Sequence, residues 1–401
     1  MKWKPIFYII IFGSLFTFAY SAERAAVVHN TLDEINACKE TLTLRLVRVW
    51  GGDEEEDVNK FFKAISSIAF DSRGMIYICD IFSHCIKVFK PDGQFVHAVG
   101  QKGRGPGDLY GPCSIAVAPN GDLVVLESGG FRIQRFGSDG KSKQIIKLDD
   151  SLGWIAVTSK DEWMLYSPRK TFLSRKLVFV LDNEGKIIRE IGQYHDRAKS
   201  FMNSERLIFT IDTNDDIYAA NRHTPVIRRY SPGGRLIMAV TFEPPFEIPP
   251  VHMALNERGD ELKIVNEGEE TEETRIRGGI VQTVRKKGKQ WKKLINGIAT
   301  DSEKRLYVVT PRRLLSESEK GKYSSRTHGN LNGTVTEGPA ERPPEHIDLY
   351  QLLVFDSRGK IFTRTSLTTF AGNIYISGNR LFIVDTSMER RILEYAMIYK
   401  E

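Results

Sequence analysis

Residues 68–100 read IAFDSRGMIYICDIFSHCIKVFKPDGQFVHAVG, four short apolar runs interrupted by chain reversals. Ser67 to Phe70 meets the turn Asp71-Ser72-Arg73-Gly74, and Met75 to Asp80 follows. After a loop come Ile86 to Phe89, the turn Pro91-Asp92-Gly93, and Gln94 to Val99 closed by Gly100. β-Branched and aromatic residues suit a pleated, half-buried surface, whereas Asp, Ser, Gly and Pro supply the local hydrogen bonds and φ values that reverse a chain. The spacing predicts four antiparallel strands.

The pattern recurs. A second copy runs Ile115 to Ala118, Leu123 to Glu127 and Ile133 to Phe136; a third runs Trp154 to Val157, Trp163 to Tyr166 and Leu177 to Leu181. The fourth uses Ile208 to Ile211, Ile217 to Asn221 and Val226 to Tyr230; the fifth Gly297 to Thr300, Leu306 to Val309 and Leu349 to Phe355; the sixth Asn373 to Ile376, Leu381 to Asp385 and Ile392 to Tyr395. Four-stranded units repeated six times predict an all-β, six-bladed propeller. The sixth copy lacks a closing strand. Leu42 to Gly51, ahead of the first copy, has the look of one, so it is expected to pair with Ile392 to Tyr395 and close the ring without an open sheet edge.

Ile68 to Leu123 resembles the NHL repeat almost position for position. The most specific part is Gly103-Arg104-Gly105-Pro106-Gly107-Asp108, similar to that family's linker between blades. The resemblance implies a six-bladed NHL-type propeller, a scaffold that serves enzymes, sensors and binding platforms alike.

Lys2 and Lys4 precede an apolar run, Ile6 to Ala19, too short to span a bilayer. This predicts a signal peptide over 1–21 with cleavage near Ser21, an N-terminal linker over 22–41, and a propeller over 42–401 in a secreted or periplasmic protein. The formal net charge, +6, falls to +4 once Lys2 and Lys4 are removed. That excess is too small on so long a chain to suggest nucleic acid, and no membrane span remains after signal removal. A monomer is expected.

First-to-second and third-to-fourth turns lie on one face of a propeller, and the other connections lie opposite. Here Asp71 to Gly74, Pro119 to Asp122, Lys160 to Glu162, Thr213 to Asp216 and Asp301 to Lys304 are all tight. Every long insertion falls on the other face: Ser167 to Lys176, Gln193 to Glu205, about 243–293 and about 311–347. Repeat proteins gather such insertions on a binding face. The first large insertion carries an acidic half and then a basic half ending in Lys292 and Lys293, which reads as a flap that pairs with itself. The second is rich in Gly, Ser, Glu and Pro and contains the acceptor pattern Asn332-Gly333-Thr334.

Candidate ligand-binding residues on the long-loop face are Asp80, His84, Glu127, Arg132, Asn221, Arg222, His223, Asp385 and Arg390. Several of these end second strands, where the repeat itself calls for a turn-forming side chain. In lactonase-type propellers and the peptidyl-hydroxyglycine lyase, to which the resemblance points, reactive residues come from the inner strands and neighbouring loops, so the positions to read are those where each first strand enters. Here those positions hold no triad of histidines and no calcium-type carboxylate and amide cluster; Asn296 and Asn373 are their polar pair. No Ser-His-Asp order, HExxH, phosphate loop or Cys-x-x-Cys is present. No catalytic or metal-ligating residue is assigned and no cofactor is predicted. The sequence favours a non-catalytic platform for a protein, peptide or glycan. The alternative is a metal-dependent lyase or lactonase-like hydrolase at the central channel, using calcium or zinc.

CDIFSHC, residues 79–85, forms the loop between the second and third strands of blade one. With Phe82 at its centre, Cys79 and Cys85 would oppose one another at a Cα separation of about 4.5 to 5.5 Å, within disulfide reach. The expectation is a cross-strand disulfide, with two free half-buried thiols as the alternative. A zinc site would need both thiolates, His84 and a fourth ligand to converge from a tight hairpin.

Overall fold

Six antiparallel sheets surround one axis in the computed structural model, which describes residues 24–52, 55–149, 153–193, 207–248, 251–255, 262–266, 272–277, 280–285, 293–323, 326–330, 333–337, 347–386 and 390–400. Blade one comprises Ile65–Phe70, Ile76–Asp80, Cys85–Phe89 and Phe95–Val99, and blade two Pro112–Val117, Leu123–Glu127, Arg132–Phe136 and Ser142–Lys147. Blade three is Trp154–Val157, Trp163–Tyr166, Lys176–Leu181 and Ile187–Gln193; blade four is Leu207–Ile211, Ile217–Asn221, Val226–Tyr230 and Leu236–Phe242. Blade five is Gly297–Thr300, Leu306–Pro311, Tyr350–Phe355 and Ile361–Leu367.

Blade six confirms the expected closure. It joins Ala371–Ser377, Arg380–Asp385 and Arg391–Tyr399 to Leu42–Gly51. The register runs antiparallel from Leu42 opposite Tyr399 to Gly51 opposite Arg391, with Trp50 opposite Ile392. Two ends of the chain thus share one sheet, and no blade is left with an unmatched neighbour.

Packing explains why the sequence repeats. Each of the six buried apolar clusters is built from two adjacent blades: Tyr77 and Val88 meet Ile115 and Val125 between blades one and two, and Trp50 and Phe382 meet Ile68 and Phe89 between blades six and one. A single blade has nothing to cover its faces, so its apolar residues leave water only when a neighbour stacks on them. Second strands such as Leu123–Glu127 are buried along their whole length and accordingly read as unbroken apolar runs.

The tight face is made by a repeated device. Asp71, Asp212 and Asp301 each accept two backbone N–H groups across their turn, and each receives the hydroxyl of a second-strand tyrosine, Tyr77, Tyr218 and Tyr307 respectively. Aspartate at these positions fixes the reversal and pins the neighbouring strand.

The segment read as an N-terminal linker is structured where it is described. Ala26–Asn30 adds a fifth strand, parallel to Leu236–Phe242, on the outer edge of blade four. Leu32–Ala37 follows as a helix opened by a Thr31–Glu34 capping box. Asn30 secures it, donating to the carbonyls of Thr241 and Gly359 while its oxygen accepts from Ile361 N–H. This strand lies outside the six repeats and pairs with residues more than 200 positions away, so no repeat phase points to it.

On the opposite face, the blade-three insertion holds the helix Pro168–Ser174, capped by Ser167. The 243–293 insertion forms two hairpins, Val251–Leu255 with Leu262–Asn266 and Glu272–Arg277 with Ile280–Arg285. The 311–347 insertion forms the helix Glu317–Tyr323 and the hairpin Arg326–Asn330 with Gly333–Glu337. Residues 1–21, most of Gln193 to Glu205, and Asn332 of the acceptor pattern lie outside the described residues. No helix among the described residues is long and apolar enough to cross a membrane.

Candidate functional site

The inner strands bring their side chains to the axis, where they line a channel of about 310 Å³. Its wall is Ile, Val, Ala and Phe with Trp154, and its only polar side chains are Ser67, Thr210, Thr300 and Tyr375. Trp154 belongs to blade three and Tyr375 to blade six, which stand opposite each other in the ring. Their rings stack at a centroid distance of 6.4 Å and an interplanar angle of 16°, so they meet across the axis as a plug. Burial pushes the Tyr375 phenol up to about 12, and it stays protonated at neutral pH.

Above this plug, towards the long loops, lies Arg222. It follows the second strand of blade four and reaches over the starts of blades five and six. Its guanidinium donates to the Asn296 carbonyl and, at 2.8 Å, to Asn373 Oδ1. Its own carbonyl accepts Leu294 N–H at 2.7 Å and Ile295 N–H at 3.0 Å, which holds the segment after Lys293 beside it. Asn296 is itself anchored, its Nδ2 donating to Ala371 O at 2.6 Å. Arg222 and the two asparagines singled out from the sequence therefore form one constellation on the axis.

Electrostatically this constellation is unusual. Burial pulls Arg222 down to about 10 and Lys293 down to about 8, and the Arg222 charge is a further cause of the fall at Lys293. Among the described residues neither cation has a carboxylate partner. Lys293 itself is exposed at the surface. It was not singled out beforehand, because in sequence it is merely the last of a basic run; its place directly ahead of the Gly297–Thr300 strand was the available signal.

The remaining candidates are tied into the scaffold. Asp80 is fully buried and accepts the N–H groups of Lys63, Ala64 and Ser83. Glu127 accepts Tyr110 N–H, Arg132 Nε and Gln134 Nε2. Arg132 in turn donates to the carbonyls of Arg104 and Asp108, and so clamps the Gly103 to Asp108 linker. Asp385 accepts Thr369 Oγ1 and Arg391 Nε, and Asn221 accepts His223 N–H. These residues shape loops rather than present free ligating atoms. His84 sits at the rim, where its Nδ1 accepts Gly111 N–H and its ring stacks on Tyr110 at 5.4 Å; burial lowers its pKa. Arg390 is exposed.

The expected Cys79–Cys85 disulfide does not form. Cys85 pairs with Asp80 and Cys79 with Ile86, so the two cysteines differ by one register position and point to opposite faces of the sheet. The loop holds four residues rather than five because its last, His84, turns the chain in the left-handed region at φ 57°. All four cysteines are free thiols, and Cys79 donates to Pro112 O. Among the described residues no three His, Cys, Asp or Glu side chains are grouped as metal ligands.

Fold and site together define a six-bladed propeller with an aromatic pair stacked across its axis and Arg222 reaching over the starts of blades five and six. The sequence model of the 6-bladed beta-propeller family DUF5128 matches residues 56–263, and the chain belongs to that family. No curated protein sequence matches it. Among solved structures it is similar to a candidate exported protein from Bacteroides fragilis, at 12% identity and a TM-score of 0.55, covering 94% of this chain and 100% of that one. It is also similar to a member of the DUF4221 family from Bacteroides vulgatus, at 11% identity and a TM-score of 0.52, covering 90% and 100%. Virginiamycin B lyase from Staphylococcus aureus aligns at 12% identity and a TM-score of 0.46, covering 89% and 100%. At such identities the likeness concerns fold alone.

Proposed function

We propose that this protein is an exported, non-catalytic recognition propeller of NHL-type repeat, binding a protein, peptide or glycan on its long-loop face. The observation that carries the reading is the closed axis. The lactonase-type propellers and peptidyl-hydroxyglycine lyase to which the NHL resemblance points draw reactive groups from the inner strands and neighbouring loops; here the inner strands line the axis with mostly apolar side chains and the Trp154–Tyr375 stack. The long insertions connect strands on the side away from the tight turns, and a rigid scaffold presenting long loops is the usual arrangement for binding. The basic and apolar start of the chain supports export.

Two measurements test this. Mature protein, tagged and incubated with its own cell-envelope fraction, is expected to retain a defined ligand that is lost when residues 243–293 are replaced by a short linker. A catch unchanged by the replacement would remove the main support for the long-loop face. A stoichiometric, tightly held zinc or calcium in purified protein would favour the metal-dependent lyase or hydrolase instead.

A further inference from the structure

We propose that the cleft between blades two and three is a second binding site, separate from the long-loop face, and that it takes a small amphiphile made of an acyl chain with a carboxylate head. The cleft has a volume of about 280 Å³, and its apolar wall is Leu148 beside blade two with Leu165, Phe179, Leu181 and Ile187 of blade three. Leu165 pairs with Phe179 and Leu181 with Ile187, and paired residues of a pleated sheet share a face, so the blade-three side chains converge on Leu148. The tight-turn end is sealed. There Gln144 Nε2 of blade two donates to Asn183 O at 2.7 Å, and Gly185 comes so near that a Cβ on it would stand 2.6 Å from Ile146. The opposite end carries the charges: Lys147 ends the outer strand of blade two, Asp149 follows it, and Lys170 stands on the helix Pro168–Ser174, all three lining the cleft. Ser167 fixes that helix by accepting Lys170 N–H at 3.1 Å.

Size and polarity select the ligand. Ligand pockets ordinarily hold about 300–1,000 Å³, so a cleft at the foot of that range takes one small molecule rather than a folded surface. Trp163 pairs with Leu181 at the sealed end and Ser167 lies four positions on, so the wall runs about 13 Å at about 3.3 Å per residue. The volume spread over that length is the bore of a single extended chain. Sugar hydroxyls would lose water against leucine and phenylalanine and gain no partner there, whereas methylenes gain from the same burial. Lysine stems extend an apolar wall while their ammonium groups stay in water, and at the open end two of them outnumber the single lining carboxylate, which favours an anionic head. Ile187 is 39% exposed, so the flank is open and the chain can enter without parting the blades.

The test titrates the full mature protein by calorimetry with hexanoate, octanoate and decanoate, each below its micellar concentration, and with decanol, decyltrimethylammonium and an N-acetylated, amidated leucine tripeptide. Affinity should rise about fourfold for each methylene added, the equivalent of about 0.8 kcal/mol per buried methylene. Decanoate should bind at least about tenfold more tightly than decanol, the scale of one charge-assisted contact, and decyltrimethylammonium should bind more weakly still. Ile187→Trp adds bulk at the open flank, on a half-exposed strand position that tolerates an aromatic, and should weaken decanoate at least about tenfold at an unchanged melting temperature. Lys147→Gln with Lys170→Gln should bring decanoate down to the affinity of decanol while the gain per methylene persists. No binding of decanoate, an affinity indifferent to chain length, equal binding of decanoate and decanol, full affinity in Ile187→Trp, or tighter binding of the tripeptide would each overturn the proposal.

Discussion

Trp50 offers the sharpest test of how the ring is closed. It lies on the N-terminal strand, is fully buried, packs edge-on against Phe89 of blade one at 5.0 Å, and donates its indole N–H to Glu394 at 2.9 Å. Glu394 is itself fully buried and accepts from Arg48 and Arg380. Trp50→Phe keeps most of the apolar volume and removes one hydrogen bond to a charged acceptor, a loss of about 1.5–3 kcal/mol. Trp50→Ala also opens a cavity between blades six and one, and the total should approach about 5 kcal/mol, the upper end for a large core deletion. Urea unfolding followed by circular dichroism, with melting as a second probe, reads both variants. Glu394→Gln completes a double-mutant cycle, and sharing one bond should give a coupling of about 1 kcal/mol or more with Trp50→Phe. A cost below about 1 kcal/mol for Trp50→Ala, the range of ordinary surface changes, would refute the closing role of Leu42–Gly51.

Three further outcomes are expected. Glu127→Gln strips the charge from a buried pair with Arg132 and should cost about 3 kcal/mol, the lower end for a broken buried ion pair because backbone carbonyls still accept from Arg132; it should also speed tryptic cleavage after Arg104, and unchanged cleavage would contradict the clamp. Unfolded, unreduced protein should show four reactive thiols, two fewer if Cys79 and Cys85 were bonded. In the folded state burial pushes Cys113 up to about 12 from 9.0, so the unfolded chain releases its proton first as pH rises past 9, and stability should fall over that window, less steeply in Cys113→Ala.

The propeller was legible because its determinants are local and repeated: apolar runs, aspartate turns and glycine closures recur in phase six times. Even the ring closure could be read, since Leu42–Gly51 is a strand without a local partner and blade six a sheet without a fourth strand. What escaped notice depended on one-residue geometry or on distance. The Cys79–Cys85 bond was inferred from symmetry about Phe82, and a single left-handed residue, His84, moves the register by one and sends the thiols to opposite faces. Trp154 and Tyr375 are 221 positions apart in the numbering, and only the closed ring makes them neighbours.

The candidate site shows how one blade departs from the repeat. In blades one, two and six the second strand ends in a carboxylate, Asp80, Glu127 or Asp385, that binds the segment leading into its own blade, through Lys63 and Ala64, Tyr110, and Thr369 respectively. Blade four ends in the neutral Asn221, which turns instead onto His223 N–H two residues along. Among the described residues no carboxylate pairs with the next residue, and Arg222 extends to the axis rather than into its own loop. The same position that ties down the scaffold elsewhere thus releases a cation here, beside Lys293 at the end of the insertion that follows blade four. A structural role for Arg222 would need only its two observed bonds, which a neutral glutamine could approximate.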